Sequence, residues 1–233
     1  MDAMSSPSLE ATVQRAYTRC AADLRRVFGD RFVALVASGP GASAAFASQI
    51  TAGDLDALGA IAEAWHKDSL ATPLVMTPSE FHRSLDTFPA EYQALIDHHV
   101  LIDGTSPLVG AVVHEADLRR ACEAQARGHL IHLRQGWIDL GARHHGLADL
   151  MVRSAGPLRQ LLSNLARLQG AAAGNDTALA AFAAKTGMPE TLVARILALT
   201  DAPHQSRALV PEMPAYLDAC EHLWSFIDAW RSS

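Results

Sequence analysis

VALVASGPGASAAF, from Val33 to Phe46, decides how the first half of this chain is read. A run of β-branched and small apolar residues empties into Ser38-Gly39-Pro40-Gly41, and a second small apolar run follows at once. Short apolar runs bounded by Gly and Pro suit buried strands, so the stretch predicts two strands joined by a glycine-rich turn. Such a turn brings backbone amides close together, and consecutive amides can cradle a phosphate. Ser38, Gly39 and Gly41 are therefore the candidate phosphate-binding residues. The stretch matches neither the phosphate loop with its Gly-Lys-Ser/Thr ending nor the Gly-x-Gly-x-x-Gly dinucleotide fingerprint, so the turn alone names no ligand.

Working outward, Leu9 to Phe28 places Val13, Tyr17, Leu24 and Phe28 near helical spacing, and Gly29-Asp30 ends that helix. Arg31 to Ala37 is then the first strand and Ser43 to Ile50 the second. Asp54, after Gly53, is placed as the N-cap of a helix with Leu55, Leu58, Ile61, Ala62 and Trp65 along one face. Pro73 to Met76 reads as a short strand, and Thr77-Pro78-Ser79-Glu80 as a capped helix start. Phe88 to Ile96 and Val100 to Ile102 are read as further strands.

The period changes near residue 113. From His114 a long helix carries Leu118, Cys122, Leu130, Leu133, Trp137 and Leu140 on one stripe, with Arg119/Glu123 and Glu123/Arg127 spaced as ion pairs. A second helix, from about Leu147 to Leu168, is expected to break or kink at Gly156-Pro157. Thr177 to Lys185, Pro189 to Leu199 and Pro214 to Trp230 complete the helices, after a short Ala/Gly loop at 170–175. The expected fold is α+β: residues 1–112 form a small mixed sheet with flanking helices, and residues 113–233 an α-helical bundle.

Apolar residues make up 49% of the 233, enough to build a sizeable core, and the net charge of −6 argues against a nucleic-acid partner. Cys20, Cys122 and Cys220 are odd in number and far apart, which fits neither a disulfide framework nor a zinc site and implies a reducing compartment. The first residues lack the basic start and apolar core of a signal peptide, and no apolar run approaches the roughly 20 residues of a membrane span. The expectation is a cytoplasmic protein with no membrane partner.

Thr72 to Leu108, TPLVMTPSEFHRSLDTFPAEYQALIDHHVLIDGTSPL, followed by LRRACEAQARGHLIHLRQGWI, resembles bacterial nucleotidyltransferase-fold proteins with an appended helical domain of the HEPN or kanamycin-nucleotidyltransferase kind. Phe88-Pro89-Ala90-Glu91-Tyr92 and Ile102 to Pro107 sit where that family has an F-P-x-E-F-like strand and an L-Y-G-x-D-P-like turn. The resemblance covers about two thirds of the chain. It implies a Gly-Ser turn for the nucleotide phosphates, an Asp-x-Asp pair on the next strand for magnesium, and a third carboxylate on a later strand. Residues i and i+2 on a strand share a face, so two carboxylates there can hold metal ions that neutralise the transferring phosphate.

This chain departs from that pattern. Pro40 stands where the serine would, with neither hydroxyl nor N–H, and Ser43-Ala44-Ala45-Phe46-Ala47 carries no carboxylate. A rival pair, Asp54-Leu55-Asp56, precedes a stretch of helical period, where Asp54 suits a cap and Asp56 the helix dipole. Glu91 matches the third carboxylate by position. Asp54, Asp56 and Glu91 are thus the candidate catalytic residues, and no metal-ligand set is assigned.

Arg127 and His132 have the Arg-x4-His spacing of HEPN-type ribonucleases, where such a pair stabilises charge and moves a proton. Five residues apart on a helix, they lie about 140° from one another. The pairs His98-His99 and His144-His145 diverge too far to chelate, and His129/His132 has no third ligand in view. The sequence leads to a nucleotidyltransferase-like pseudoenzyme that binds an unidentified protein or small molecule, with a homodimer expected through the helical domain. No cofactor is expected. The alternatives are an active nucleotidyltransferase using magnesium and a nucleoside triphosphate on a small-molecule or protein hydroxyl, and a HEPN-like ribonuclease.

Overall fold

The first helix, α1 (Ala11–Phe28), buries Tyr17, Cys20, Leu24 and Phe28, a stripe that returns every three to four residues. In the computed structural model, which describes residues 9–38, 41–141, 143–171 and 175–230, this stripe lies on a four-stranded sheet. Gly39, Pro40 and part of the Ala/Gly loop at 170–175 lie outside the described residues. Strand β1 (Phe32–Ala37) pairs antiparallel with β2 (Ser43–Ala47) and with β4 (Val100–Gly104), while β2 pairs parallel with β3 (Leu74–Met76), giving the order β3-β2-β1-β4. The parallel connection passes through α2 (Ala52–Lys67).

Side chains alternate across a strand, so the two faces of the sheet can be told apart. Leu35, Ala37, Ala45 and Ala47 join Tyr17, Leu24, Leu58 and Trp65 in one core. Phe46 belongs to the other face and meets Phe81 of α3 (Pro78–Arg83) edge-on at 5.7 Å. Phe81 in turn meets Tyr92 of α4 (Pro89–His98) at 5.0 Å. Every residue of β2 is buried. Gly104 closes the sheet at φ +84°, where a Cβ would lie 2.0 Å from the Val33 carbonyl oxygen, so only glycine fits. Beside it, both Asp103 carboxylate oxygens accept from Arg25, at 2.5 and 2.7 Å, which holds the carboxyl below its usual range.

Three readings of this half change. Phe88 to Ile96 is not a strand but most of α4: Pro89 takes the first helical position and Glu91 the third, while Ala90, Tyr92 and Leu95 bury one face. Helix α2 begins at Ala52 with Thr51 as its cap, and Asp54 is the third helical residue, completing a capping box. Leu55 points outward, 53% exposed, because only Leu58 and Trp65 of the proposed face reach full burial.

The chain divides into two units, Met1–Val113 and His114–Ser233. The second is helical: α5 (Glu115–Leu140), α6 (His144–Leu168), α7 (Asp176–Ala184), α8 (Glu190–Ala198), the short α9 (Ser206–Leu209) and α10 (Met213–Ala229). Leu118, Cys122, Leu130 and Leu133 of α5 are buried, whereas Trp137 and Leu140 are half-buried against Leu147, Ala148 and Val210. Helix α6 runs unbroken through Pro157. Its seam with α5 is tightened by glycines: a Cβ on Gly136 would lie 2.8 Å from Leu150 Cδ2, and one on Gly146 2.6 Å from Leu140 Cδ2. Arg119 reaches Glu123 at 3.9 Å as expected, but the Arg127 guanidinium lies over the Trp224 ring, 5.9 Å from its centroid.

Cys20, Cys122 and Cys220 are free thiols, all buried, and burial pushes each up to about 12. No helix among the described residues is long and apolar enough to cross a membrane.

Candidate functional site

Asp54 is buried at the start of α2, and its environment is set by two short sequence features. The turn Gly29–Arg31 brings Arg31 alongside, and the Arg31 Nη1 and Nη2 groups donate to the two carboxylate oxygens at 2.7 and 2.8 Å. Thr51 adds its backbone N–H and its hydroxyl, each 2.8 Å from Oδ2. Hydrogen bonding from Arg31, then from Thr51, holds this carboxyl far below the usual range, against the opposing effect of burial. The fork is a bidentate, charge-assisted pair, and it spends the lone pairs a cation would need.

The other two candidate carboxylates do not join it. Asp56 is exposed: two residues apart on a helix, it projects about 200° away from Asp54. Glu91 is exposed in the first turn of α4, where it complements the helix dipole. Among the described residues no three His, Cys, Asp or Glu side chains are grouped to hold a metal ion. At the glycine turn, the Ser38 N–H donates to the Ala42 carbonyl at 2.8 Å, closing the hairpin with an amide that a phosphate would need. Gly41 is exposed, and Gly39 lies outside the described residues.

The histidine pairs are local fixtures. His99 Nδ1 lies 3.1 Å from the Leu95 and Ile96 carbonyls and so donates to the end of α4. His98, His144 and His145 are exposed. Arg127 and His132 part company, Arg127 going to Trp224 while His132 lines a cavity between α5 and α6.

That cavity, of about 440 Å³, is lined by His129 and Ser154, two members of a hydrogen-bonded chain. His129 Nε2 lies 2.9 Å from the Tyr216 hydroxyl, which donates to Ser154 Oγ at 3.0 Å, and Ser154 donates to the Met151 carbonyl at 2.7 Å. Each hydroxyl has one proton to give, so His129 must donate through Nε2–H, which leaves Nδ1 without a proton. Burial, reinforced by His132 nearby, lowers His129 to about 4, and it is neutral at pH 7. Burial raises Tyr216 well above 10, so its hydroxyl keeps its proton. On the α6 side, Gln125 Nε2 donates to the Pro157 carbonyl at 3.2 Å. Pro157 has no N–H for the Arg153 carbonyl four residues back.

Sequence reasoning did not find Tyr216, Ser154, Gln125 or Arg153. Ser154 carried a signal, a hydroxyl set between Met151, Ala155 and Leu158 on the buried stripe of α6. Tyr216 carried none, being 87 residues from His129. Comparisons with protein-family models, with curated proteins and with solved structures give no match.

Proposed function

We propose that the Met1–Val113 unit is a nucleotidyltransferase-like domain that has lost transfer chemistry, and that the protein acts as a binding module. One observation carries this reading: β2, the strand that would bear the metal-binding pair, is buried along its whole length and has no carboxylate. Its Ala45 and Ala47 are packed against the core with α1 and α2, and Phe46 is packed against Phe81. The neighbouring parallel strand, Leu74-Val75-Met76, offers no carboxylate either. Magnesium requires oxygen ligands in near-octahedral array, and the residues at this place do not fit it. The order of elements supports the likeness: a helix, a strand, a glycine turn, an antiparallel strand, and a later strand parallel to the second. An active enzyme would need carboxylates other than Asp54, Asp56 and Glu91.

Isothermal calorimetry with magnesium and each of ATP, GTP, CTP and UTP tests the reading. We expect no binding at millimolar nucleotide. A magnesium-dependent micromolar affinity for any of the four would overturn it.

A further inference from the structure

Three features of the α5–α6 cavity say what it would hold. Its volume, about 440 Å³, is that of small-molecule sites, and Leu133, Leu150 and Pro157 make much of its wall apolar. The first feature is Gly128, a glycine in the middle of α5 that weakens the helix relative to alanine. Neither a positive φ nor a close approach requires it, for a Cβ there would meet nothing within 4 Å. Gly136, two turns on, is filled by Leu150; Gly128 leaves room instead.

The second feature is the floor. His129 donates to Tyr216, Tyr216 to Ser154 and Ser154 to a backbone carbonyl, so every proton in that chain is already directed into the protein. The floor therefore has no donor to spare for an anion. The third feature is the rim, where His132 and Arg153 are exposed. Arg134 of this unit is engaged by Glu221 and Arg159 by Asp176. Arg153 has no ion-pair or hydrogen-bond partner among the described residues, and no Asp or Glu lines the cavity.

We infer that this cavity binds a small organic acid, with its apolar body against Leu133, Leu150 and Pro157 and its carboxylate held at the rim by Arg153 beside His132. A guanidinium matches a carboxylate in bidentate geometry, and an apolar wall beside it excludes water from the contact. The inference goes beyond the proposed function, since it concerns the helical unit alone and is indifferent to whether a nucleotide binds elsewhere.

The probes are octanoate and octylammonium, which share an apolar body and carry opposite charges, titrated by calorimetry into the full chain at pH 7. Octanoate should bind at one site per chain, and octylammonium about tenfold more weakly or worse. Arg153→Gln, a change at an exposed residue, should weaken octanoate about tenfold and leave octylammonium unchanged. Gly128→Trp, which fills the cavity from α5, should abolish octanoate binding while the far-ultraviolet circular dichroism and the cooperative thermal melt are kept. Should that variant fail to fold, Arg153→Gln decides alone. No octanoate binding, equal affinity for the two probes, or undiminished octanoate binding by Arg153→Gln or by a folded Gly128→Trp would each overturn the inference.

Discussion

Arg31 and Arg153 meet opposite fates. Arg31 forks onto Asp54, and Thr51 takes what that carboxylate has left, so the cluster is closed upon itself. Arg153 stands at a cavity whose His129–Tyr216–Ser154 chain is complete without it. A polar group enclosed with all its partners shapes a fold, whereas one left beside apolar space is available to something from outside. The carboxylate that looks catalytic in the sequence thus belongs to the architecture, and Arg153, which the sequence does not single out, borders a cavity.

The contrast breaks most visibly at His129. An unfolded chain protonates this histidine near 6.5 and the native protein only near 4. Between those values the unfolded state holds more protons, so its contribution to stability is complete above about 6.5 and is lost as pH falls towards 4. At most it amounts to about 3 kcal/mol. Urea melts at pH 7, 6 and 5 should show this slope, and His129→Gln, which can still donate to Tyr216, should flatten it. A wild-type slope unchanged by the substitution would place the titrating group elsewhere.

A smaller effect is expected at Asp54. Its carboxyl is depressed, so the stabilisation is complete above the ordinary carboxylate range near 3.8 and is lost as pH falls below it. Asparagine caps a helix well but cannot serve the Arg31 fork as an anion. Asp54→Asn should therefore melt lower than wild type at pH 7, with the gap closing only below about pH 4, and magnesium should shift neither melt. A magnesium-dependent rise in wild type, absent from the Asn variant, would return Asp54 to the role of metal ligand.

The smallest effect separates two glycines of one helix. Gly128→Ala should stabilise the protein by about 0.5–1 kcal/mol, because the methyl enters open space and the helix gains propensity. Gly136→Ala should forfeit that gain, since its Cβ would lie 2.8 Å from Leu150 Cδ2. Thermal melts of the pair that rise equally would mean the seam is no tighter at Gly136 than at Gly128.

Much of this was legible in the chain. Periodicity located α1, α5, α6 and α10, and the missing carboxylates of β2 could be read directly from Ser43 to Ala47. Phe88 to Ile96 was misread because the likeness of F-P-A-E-Y to a family strand outweighed a local signal: proline first and glutamate third is how a helix opens. Asp54 and Arg31 are 23 residues apart, and Tyr216 and His129 are 87 apart. No spacing rule reaches across such distances, because those meetings are made by tertiary packing. Gly128 is legible in the sequence only as a glycine within helical period, and the open space beside it is a product of packing.

The three buried thiols turn the molecule into its own clock. A thiol reagent attacks the thiolate, and with each group pushed to about 12 inside a closed core, modification must wait for the surrounding structure to open. Cys20 times the opening of the Met1–Val113 unit, and Cys122 with Cys220 that of His114–Ser233. Intact-mass spectra gathered during slow alkylation therefore distinguish the two events by adduct number. One adduct marks the first unit breathing alone, two the second alone, and three at once a chain that unfolds as a single cooperative whole.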